Sequence, residues 1–509
     1  MYAGRRMSLP RPGGGAVVFA LQLLVVTTAW SQTPKRSFVE VPCTQLWGSF
    51  EHLPSNALHC GTVTVPQNRR APNDTRLVKV VLPVVHIAAP NATATPMVFL
   101  PGGPGESAIF ALQRAFLRTP SGELAVRRRP VIAFDRRGFA TETGRANPDL
   151  GAVNTERRAT REASIVALRD SMKANTKWLA SQGVEPRYFS TLDAVDDIAD
   201  VIRALGYTKV VLFTASYGTR EALYFMRRYP DLVESAVLDG VAPPQTTNLF
   251  EPEFIAKARG SVVGRIAADC IADLACAAEY PELGKTMARL ADSSTAMLRL
   301  TANFPENLGW RTVRLPRQAI LSTLGLMATA ENVRAIVPQL LEDFASGDTL
   351  RRPLAADIVL AASADSIGRA GIGPAAPLVY DIAVCADFPN GSPQRGGRAT
   401  CDALQVPFGG LDVIAPVTTN IPVLLIASGY DARTPASLAD EAARTLPRGR
   451  LVLFPLIGHV AFVHTTVMAC VAVVVESFLA HPETEPANLC VGSVAPAFMP
   501  RSVDAPNRR

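Results

Sequence analysis

The sequence predicts an α/β fold: a mostly parallel central sheet flanked by helices, carrying an inserted helical cap. Three observations lead there. Short apolar runs of β-type residues alternate with helical periodicity over residues 97–238, and the alternation returns over 421–479. Between these tracts, residues 243–404 hold helical segments and little strand. One strand, residues 210–213, runs into a helix through Thr214-Ala215-Ser216-Tyr217-Gly218 with no room for a loop. The expected division is residues 1–31 as a signal peptide and 32–244 as the first part of the core. The cap then takes 245–405, and 406–509 completes the core.

The elements follow in order. Arg5, Arg6 and Arg11 precede a largely apolar run over 16–29, and Ala29-Trp30-Ser31 offers small residues for cleavage. That run is too short for a comfortable membrane span, so the mature chain is expected to begin near Gln32 and to keep no stable membrane association. Residues 38–90 read as antiparallel β, with strands over 61–65 and 77–87 separated by a turn-rich segment. A buried strand over 97–100 enters Pro101-Gly102-Gly103-Pro104-Gly105, a rigid loop with exposed backbone N–H groups. The strand over 130–134 ends in Asp135-Arg136-Arg137-Gly138. Residues 190–205 form a helix with Leu192, Val195, Ile198, Ile202 and Leu205 on one face. Ser190 and Asp193 suit a capping box, and Asp193, Asp196 and Asp197 are read as acids at a helix N-terminus. A strand over 235–238 ends at Asp239-Gly240. In the cap, 315–327 and 333–344 carry apolar residues at three- and four-residue spacing. Strand 421–426, helix 436–446, strand 451–454 and helix 465–479 close the chain.

A length of 509 residues accommodates a core plus a sizeable insertion. The net charge of +6 is spread thinly. The clusters Arg127 to Arg129, Arg136 with Arg137 and Arg351 with Arg352 lack interleaved aromatics and read as solvated faces, so no nucleic-acid partner is expected. The eight cysteines fall as Cys43 and Cys60, Cys270 and Cys276, Cys385 and Cys401, Cys470 and Cys490. There is no C-x-x-C pair and no histidine at zinc spacing, which argues against a metal. An even count behind a signal peptide implies disulfides and an exported protein, periplasmic or secreted. Sequential pairing is favoured among about 105 connectivities because each pair brackets a plausible loop.

The chemistry concentrates at strand ends. Ser216 sits on a sharp strand-to-helix turn, which lifts a serine Oγ above a sheet and aims the following N–H groups at an oxyanion. Gly218 suits the close passage of helix past strand, whereas Thr214 is a β-branched residue where glycine is usual. Asp431 follows the strand over 421–426, and His459 follows the strand over 451–454. The chain order is serine, acid, histidine, with all three at the carboxyl ends of parallel strands. Ser216 needs a base to become nucleophilic. His459 supplies it, and Asp431 orients the imidazole. The Gly102–Gly103 loop offers an N–H to complement that of Tyr217. Asp239 is the runner-up acid, and His464 reads as a packed histidine.

These segments resemble a known family. The resemblance rests on Cys60-Gly-Thr-Val-Thr-Val-Pro66, Gly102-Gly-Pro-Gly105, Asp135-Arg-Arg-Gly138, Asp196-Asp197, Ala215-Ser-Tyr-Gly-Thr219 and Leu238-Asp-Gly-Val-Ala-Pro243. Cys276-Ala-Ala-Glu-Tyr-Pro281, Gly429-Tyr-Asp431, Gly458-His459, Cys470 and Cys490 extend it. With these motifs the chain resembles the exported tripeptidyl aminopeptidases of the prolyl iminopeptidase family of α/β-hydrolases, those with a characteristic C-terminal segment. The resemblance implies release of short peptides from a free N-terminus without a metal or cofactor, with Ser216, Asp431 and His459 as triad and Gly103 and Tyr217 as oxyanion donors. Pro101 and Thr214 depart from the family pattern near the oxyanion hole. Recognition of a substrate ammonium calls for a carboxylate, for which Glu106, Glu331 and Asp387 are candidates. The competing readings are an esterase or amidase for small acyl compounds on the same triad, and an inactive binding or carrier protein of this fold.

Overall fold

The computed structural model describes residues 37–45, 57–89, 93–138, 161–291, 297–304, 309–346, 349–350, 355, 358, 377–493 and 498–500. The signal peptide expected over 1–31, and the pair Arg351 and Arg352, lie outside these residues.

Nine strands form the main sheet: β1 (Phe38–Glu40), β2 (Leu58–Val65), β3 (Val80–Ile87), β4 (Met97–Leu100), β5 (Val131–Phe134), β6 (Val210–Ala215), β7 (Val233–Asp239), β11 (Val423–Ser428) and β12 (Gly449–Phe454). The missing numbers, β8 (Met297–Phe304), β9 (Gly309–Pro316) and β10 (Thr349–Leu350), belong to a separate sheet. The main order is β1-β2-β3-β5-β4-β6-β7-β11-β12. β1, β2 and β3 join antiparallel, and β3 meets β5 antiparallel. From β5 to β12 every pairing is parallel.

Strand residues alternate between two cores, as period-two geometry requires. Val98, Leu100, Leu212, Leu238 and Leu425 face one side, packed with Val195, Ile198, Leu223 and Ala439 from helices. Met97, Phe99, Val211, Phe213 and Ile426 face the other, packed with Leu112, Val471 and Phe478. Here Phe99, Phe116, Phe213 and Phe462 form an aromatic cluster, with Phe116 and Phe213 centroids 4.7 Å apart. β4, β5, β6 and β11 are buried along their whole length, which explains their near-continuous apolar sequences, whereas β12 at the sheet edge leaves Leu451 and Leu453 exposed.

The insertion has its own core. Helices Pro252–Ala272, Leu283–Ala291, Arg317–Met327 and Val337–Ser346 bury Val263, Ile266, Leu283, Leu324, Leu340 and Phe344 together. It also contains the three-stranded sheet β10-β8-β9, where helical segments with little strand were expected. The hairpin obeys the period of two: Leu298 and Leu300 pair with Leu315 and Val313 and face the insertion core, while Arg299 and Arg314 pair between them. Helices Pro377–Asp387 and Gly397–Ala403 instead join the main core, with Ile382, Cys385 and Cys401 against Leu168 and Met172. Leu168 and Met172 lie on helix Arg161–Ser181, an element the sequence reading passed over.

Two charge readings are corrected by burial. Arg137 is fully buried, not solvated, and binds Asp197 bidentately: Nε donates to Oδ2 at 2.7 Å and Nη2 to Oδ1 at 2.6 Å. Asp197 also takes Arg69, and Asp196 takes Arg228 at 2.7 Å and the Tyr229 hydroxyl at 2.7 Å. These acids therefore neutralise cations, and Asp193 alone closes the capping box with Ser190. Arg136 pairs with Glu221 at 2.5 Å, and Arg129 is buried against the Thr95 carbonyl. Burying a charge requires a partner of this kind.

All four cysteine pairs close sequentially: Cys43–Cys60, Cys270–Cys276, Cys385–Cys401 and Cys470–Cys490. Among the described residues no helix is long and apolar enough to cross a membrane.

Candidate active site

Ser216 stands between β6 and helix Tyr217–Arg228 with φ 51° and ψ −124°. A non-glycine residue holds such a conformation only when its surroundings enforce it. They do so here. The Ser216 N–H donates to Asp239 O at 2.8 Å, and Thr219 Oγ1 donates to Ser216 O at 2.6 Å. Thr219 Oγ1 in turn accepts from Ala242 N at 2.9 Å, tying the turn to the end of β7. Gly218 lets the helix pass the loop after β4: a Cβ there would lie 2.3 Å from Pro101 O and 2.6 Å from Leu100 O. Thr214 does not crowd the turn. It is the penultimate residue of β6, and its Oγ1 donates to Val237 O on β7 at 3.1 Å.

The three predicted strand-end residues converge. His459 Nε2 lies 2.9 Å from Ser216 Oγ, and His459 Nδ1 lies 2.8 Å from Asp431 Oδ2. Asp431 is held on every side. Its Oδ1 accepts from Arg433 N and Thr434 N, each at 2.8 Å, and its Oδ2 accepts from Thr434 Oγ1 at 2.7 Å. Burial would raise this carboxyl, but His459 and the Thr434 donors outweigh burial and hold it below the ordinary aspartate value. Thr434 Oγ1 also lies 3.1 Å from His459 Nδ1, a contact the sequence reading missed. A hydroxyl three residues past the acid was the available signal.

Asp239 takes a different part. Its Oδ1 accepts from Ala461 N at 2.9 Å and its Oδ2 from Phe462 N at 3.0 Å. It thus clamps the segment just after His459, where Val460 has φ 65°. Burial pushes the Asp239 carboxyl up to about 7. His464 is packed, as expected, with Nε2 at 3.2 Å from His459 O.

The loop after β4 lies beside the nucleophile, since a Cβ on Gly102 would be 3.3 Å from Ser216 Oγ. Asp135 braces this loop, accepting from Ser107 Oγ at 2.8 Å and Ile109 N at 3.2 Å. Gly103 is exposed. Tyr217 opens its helix, so its N–H has no partner within that helix. A cavity runs behind the loop, lined by Pro101, Gly102, Gly103, Glu106, Arg136 and Glu221 among others.

The three candidate amine ligands occupy different places. Glu106 lines this cavity, and burial raises its carboxyl to about 7, against the opposing pull of Arg433. Glu331 accepts from Thr466 Oγ1 at 2.7 Å and Thr465 Oγ1 at 3.1 Å, joining the insertion to the segment beyond His459. Asp387 is fully buried beneath the elbow, where it accepts from the Tyr217 hydroxyl and lies 3.5 Å from Arg220 Nε.

Comparison with known proteins finds relatives over part of the chain. The serine protease Hip1 of Mycobacterium bovis is 26% identical over 233 residues, taking in 44% of this chain and 43% of that protein. Hip1 of Mycobacterium tuberculosis matches equally. The match thus spans less than half the length of these relatives. The crystal structure of proline iminopeptidase from Mycobacterium smegmatis is similar at a TM-score of 0.39 and 16% identity, over 83% of this chain and 98% of that one. Residues 95–464 match the alpha/beta hydrolase fold family, and the span runs from the start of β4 past His459. The chain belongs to the α/β-hydrolase fold family.

Proposed function

We propose that this protein is an exported serine peptidase that releases short peptides, with tripeptides the expected length, from the free N-terminus of peptide substrates. The observation that carries the reading is the continuous contact chain from Ser216 Oγ through His459 to Asp431. His459 Nε2 takes the Ser216 proton as Oγ attacks the scissile carbonyl. Asp431 holds the imidazole by its Nδ1–H and stabilises the imidazolium. The Tyr217 and Gly103 N–H groups receive the oxyanion, a role worth about 3 kcal/mol per donor. His459 then returns the proton to the departing amine, and water repeats the sequence to release the acyl peptide. Glu106, at the cavity behind the oxyanion loop, is the carboxylate best placed to meet a substrate ammonium. The serine-protease relatives support the reaction class. Four disulfides support an extracytoplasmic site of action.

The test is a matched substrate panel given to the disulfide-bonded protein: Ala-Ala-Pro and Pro anilides, each with free and acetylated N-termini, plus p-nitrophenyl acetate. The expected result is cleavage of the free-amine tripeptide anilide, its loss in Ser216→Ala, and fluorophosphonate labelling of Ser216. Turnover of the ester alone would move the protein to the esterase reading. Absence of labelling would leave the inactive-carrier reading.

A further inference from the structure

Tyr217, whose backbone N–H is proposed to receive the oxyanion, is held by its side chain as well as by its backbone. The ring is buried and packed with Ala383, Val384 and Phe388. The hydroxyl donates to Asp387 and lies 2.9 Å from Thr191 Oγ1. Asp387 closes helix Pro377–Asp387, 170 residues further along the chain.

Asp387 is itself a fixed post. It is fully buried, and its Oδ2 lies 3.5 Å from Arg220 Nε. Arg220 is anchored in turn: its guanidinium donates to Pro243 O and Pro244 O at 2.9 Å and to Val413 O at 3.1 Å. Its Cζ stands 4.5 Å from the centre of the Phe388 ring. The end of the Asp387 helix is tied too, because Cys385 is bridged to Cys401 and Gly409 N donates to Ala386 O at 2.8 Å.

The elbow therefore has two ties. One runs through the backbone, from Ser216 N to Asp239 O and from Thr219 Oγ1 to Ala242 N at the end of β7. The other runs through the Tyr217 hydroxyl to Asp387. A turn with φ 51° at a serine keeps its shape only while its surroundings over-determine it. Apolar packing would bury the Tyr217 ring without fixing its direction, whereas a hydroxyl–carboxylate bond is short and directional. A buried carboxylate is also a poor source of stability by itself. The effect of this bond is therefore to be sought in where it holds Tyr217.

We propose that Asp387 is a positioning residue of the oxyanion hole: acting through the Tyr217 hydroxyl, it sets the direction of the Tyr217 N–H, so that turnover depends on a carboxylate buried beneath the elbow. The proposal deepens the serine-peptidase reading and rests on it. It gives Asp387 a part other than that of an amine ligand.

The variants are Tyr217→Phe, which removes the hydroxyl, Asp387→Ala, which removes its acceptor, and Asp387→Asn, which keeps an oxygen able to accept it. All are made in the full disulfide-bonded chain. Turnover is read on p-nitrophenyl acetate and on the free-amine Ala-Ala-Pro anilide, and stability by denaturant unfolding. Inhibition by phenylboronic acid reports on the oxyanion hole, since its adduct on Ser216 puts an oxygen where the oxyanion forms. Tyr217→Phe and Asp387→Ala should each lower kcat by about 10–100-fold, the scale of an ångström-sized misplacement of one donor. KM should stay within about 2-fold, because the misdirected N–H acts only in the transition state. Ki for phenylboronic acid should rise by the factor by which kcat falls. Tyr217→Phe/Asp387→Ala should lose no more than the worse single variant, since both break one link, and Asp387→Asn should keep most of kcat. Lowered stability with kcat and Ki unchanged would reduce Asp387 to a structural part and overturn the proposal, as would losses that multiply in the double variant. Tyr217→Phe and Asp387→Asn decide the matter if Asp387→Ala does not fold. Loss of ester turnover and of boronate affinity in a protein that never cleaves the tripeptide anilide sustains the positioning role and overturns the peptidase reading instead.

Discussion

Two aspartates end neighbouring strands near His459, and replacing each by asparagine separates their parts. Asp431→Asn preserves shape. Its amide oxygen would turn to the Arg433 and Thr434 N–H groups, both at 2.8 Å from Oδ1. The NH2 group would then face His459 Nδ1, donor toward the atom that must itself donate, and force the wrong tautomer. The expected loss in kcat is about 10⁴-fold, or about 5.5 kcal/mol of barrier, with small change in stability. Asp239→Asn acts elsewhere. Its two oxygens each accept one backbone N–H, from Ala461 and Phe462. An amide can serve one of them and confronts the other with a donor. That mismatch costs about 1–3 kcal/mol of folding stability. The His459 loop loosens, and kcat falls by less than about 100-fold, the scale of an ångström-sized misplacement. Denaturant unfolding and kcat on p-nitrophenyl acetate would be read on both variants. If Asp239→Asn lost as much kcat as Asp431→Asn, or Asp431→Asn kept near-normal kcat, the assignment of Asp431 as the orienting acid would be refuted.

Gly218→Ala should lower kcat/KM by about 100-fold, because a Cβ 2.3 Å from Pro101 O must push the oxyanion loop aside; steady-state kinetics with unchanged fluorophosphonate access to Ser216 would check it. Arg137→Met should cost about 1–3 kcal/mol, because buried Asp197 loses its bidentate partner and keeps Arg69 alone, and Arg137→Met/Asp197→Leu should recover part of that in denaturant unfolding. For a free-amine substrate KM should rise as pH falls below about 7, since the Glu106 carboxyl is raised to about 7 and a protonated acid no longer attracts ammonium. Glu106→Gln should flatten that limb of the KM profile. Cys470→Ser/Cys490→Ser should lose about 3 kcal/mol, the loop entropy of a bridge spanning 20 residues, by the same unfolding assay.

The parts of the site that could be read from sequence are those made by local backbone rules. A β-run, a serine and an immediate helix define the Ser216 elbow within a dozen residues, and Asp431 and His459 each follow a short apolar strand. What escaped notice depends on contacts distant in sequence. Arg137 meets Asp197 60 residues later, so a charge that looks solvated in one dimension is buried in three. Thr214 looked crowded because its neighbour Val237, which accepts its hydroxyl, lies on another strand. The β8–β9 hairpin was legible in principle. Leu298 and Leu300 alternate with Arg299 and Thr301, but strong helical periodicity on either side masked a strand of eight residues.

The four disulfides share a property with consequences for how the protein is made. Their partners stand 17, 6, 16 and 20 residues apart, and no bridge encloses or crosses another. A chain delivered N-terminus first presents both cysteines of one pair before the next pair arrives. An oxidant that simply joins thiols in order of appearance therefore produces the native set, with no wrong bond to undo. The yield of the protein should then depend on a thiol oxidant and be indifferent to a disulfide isomerase.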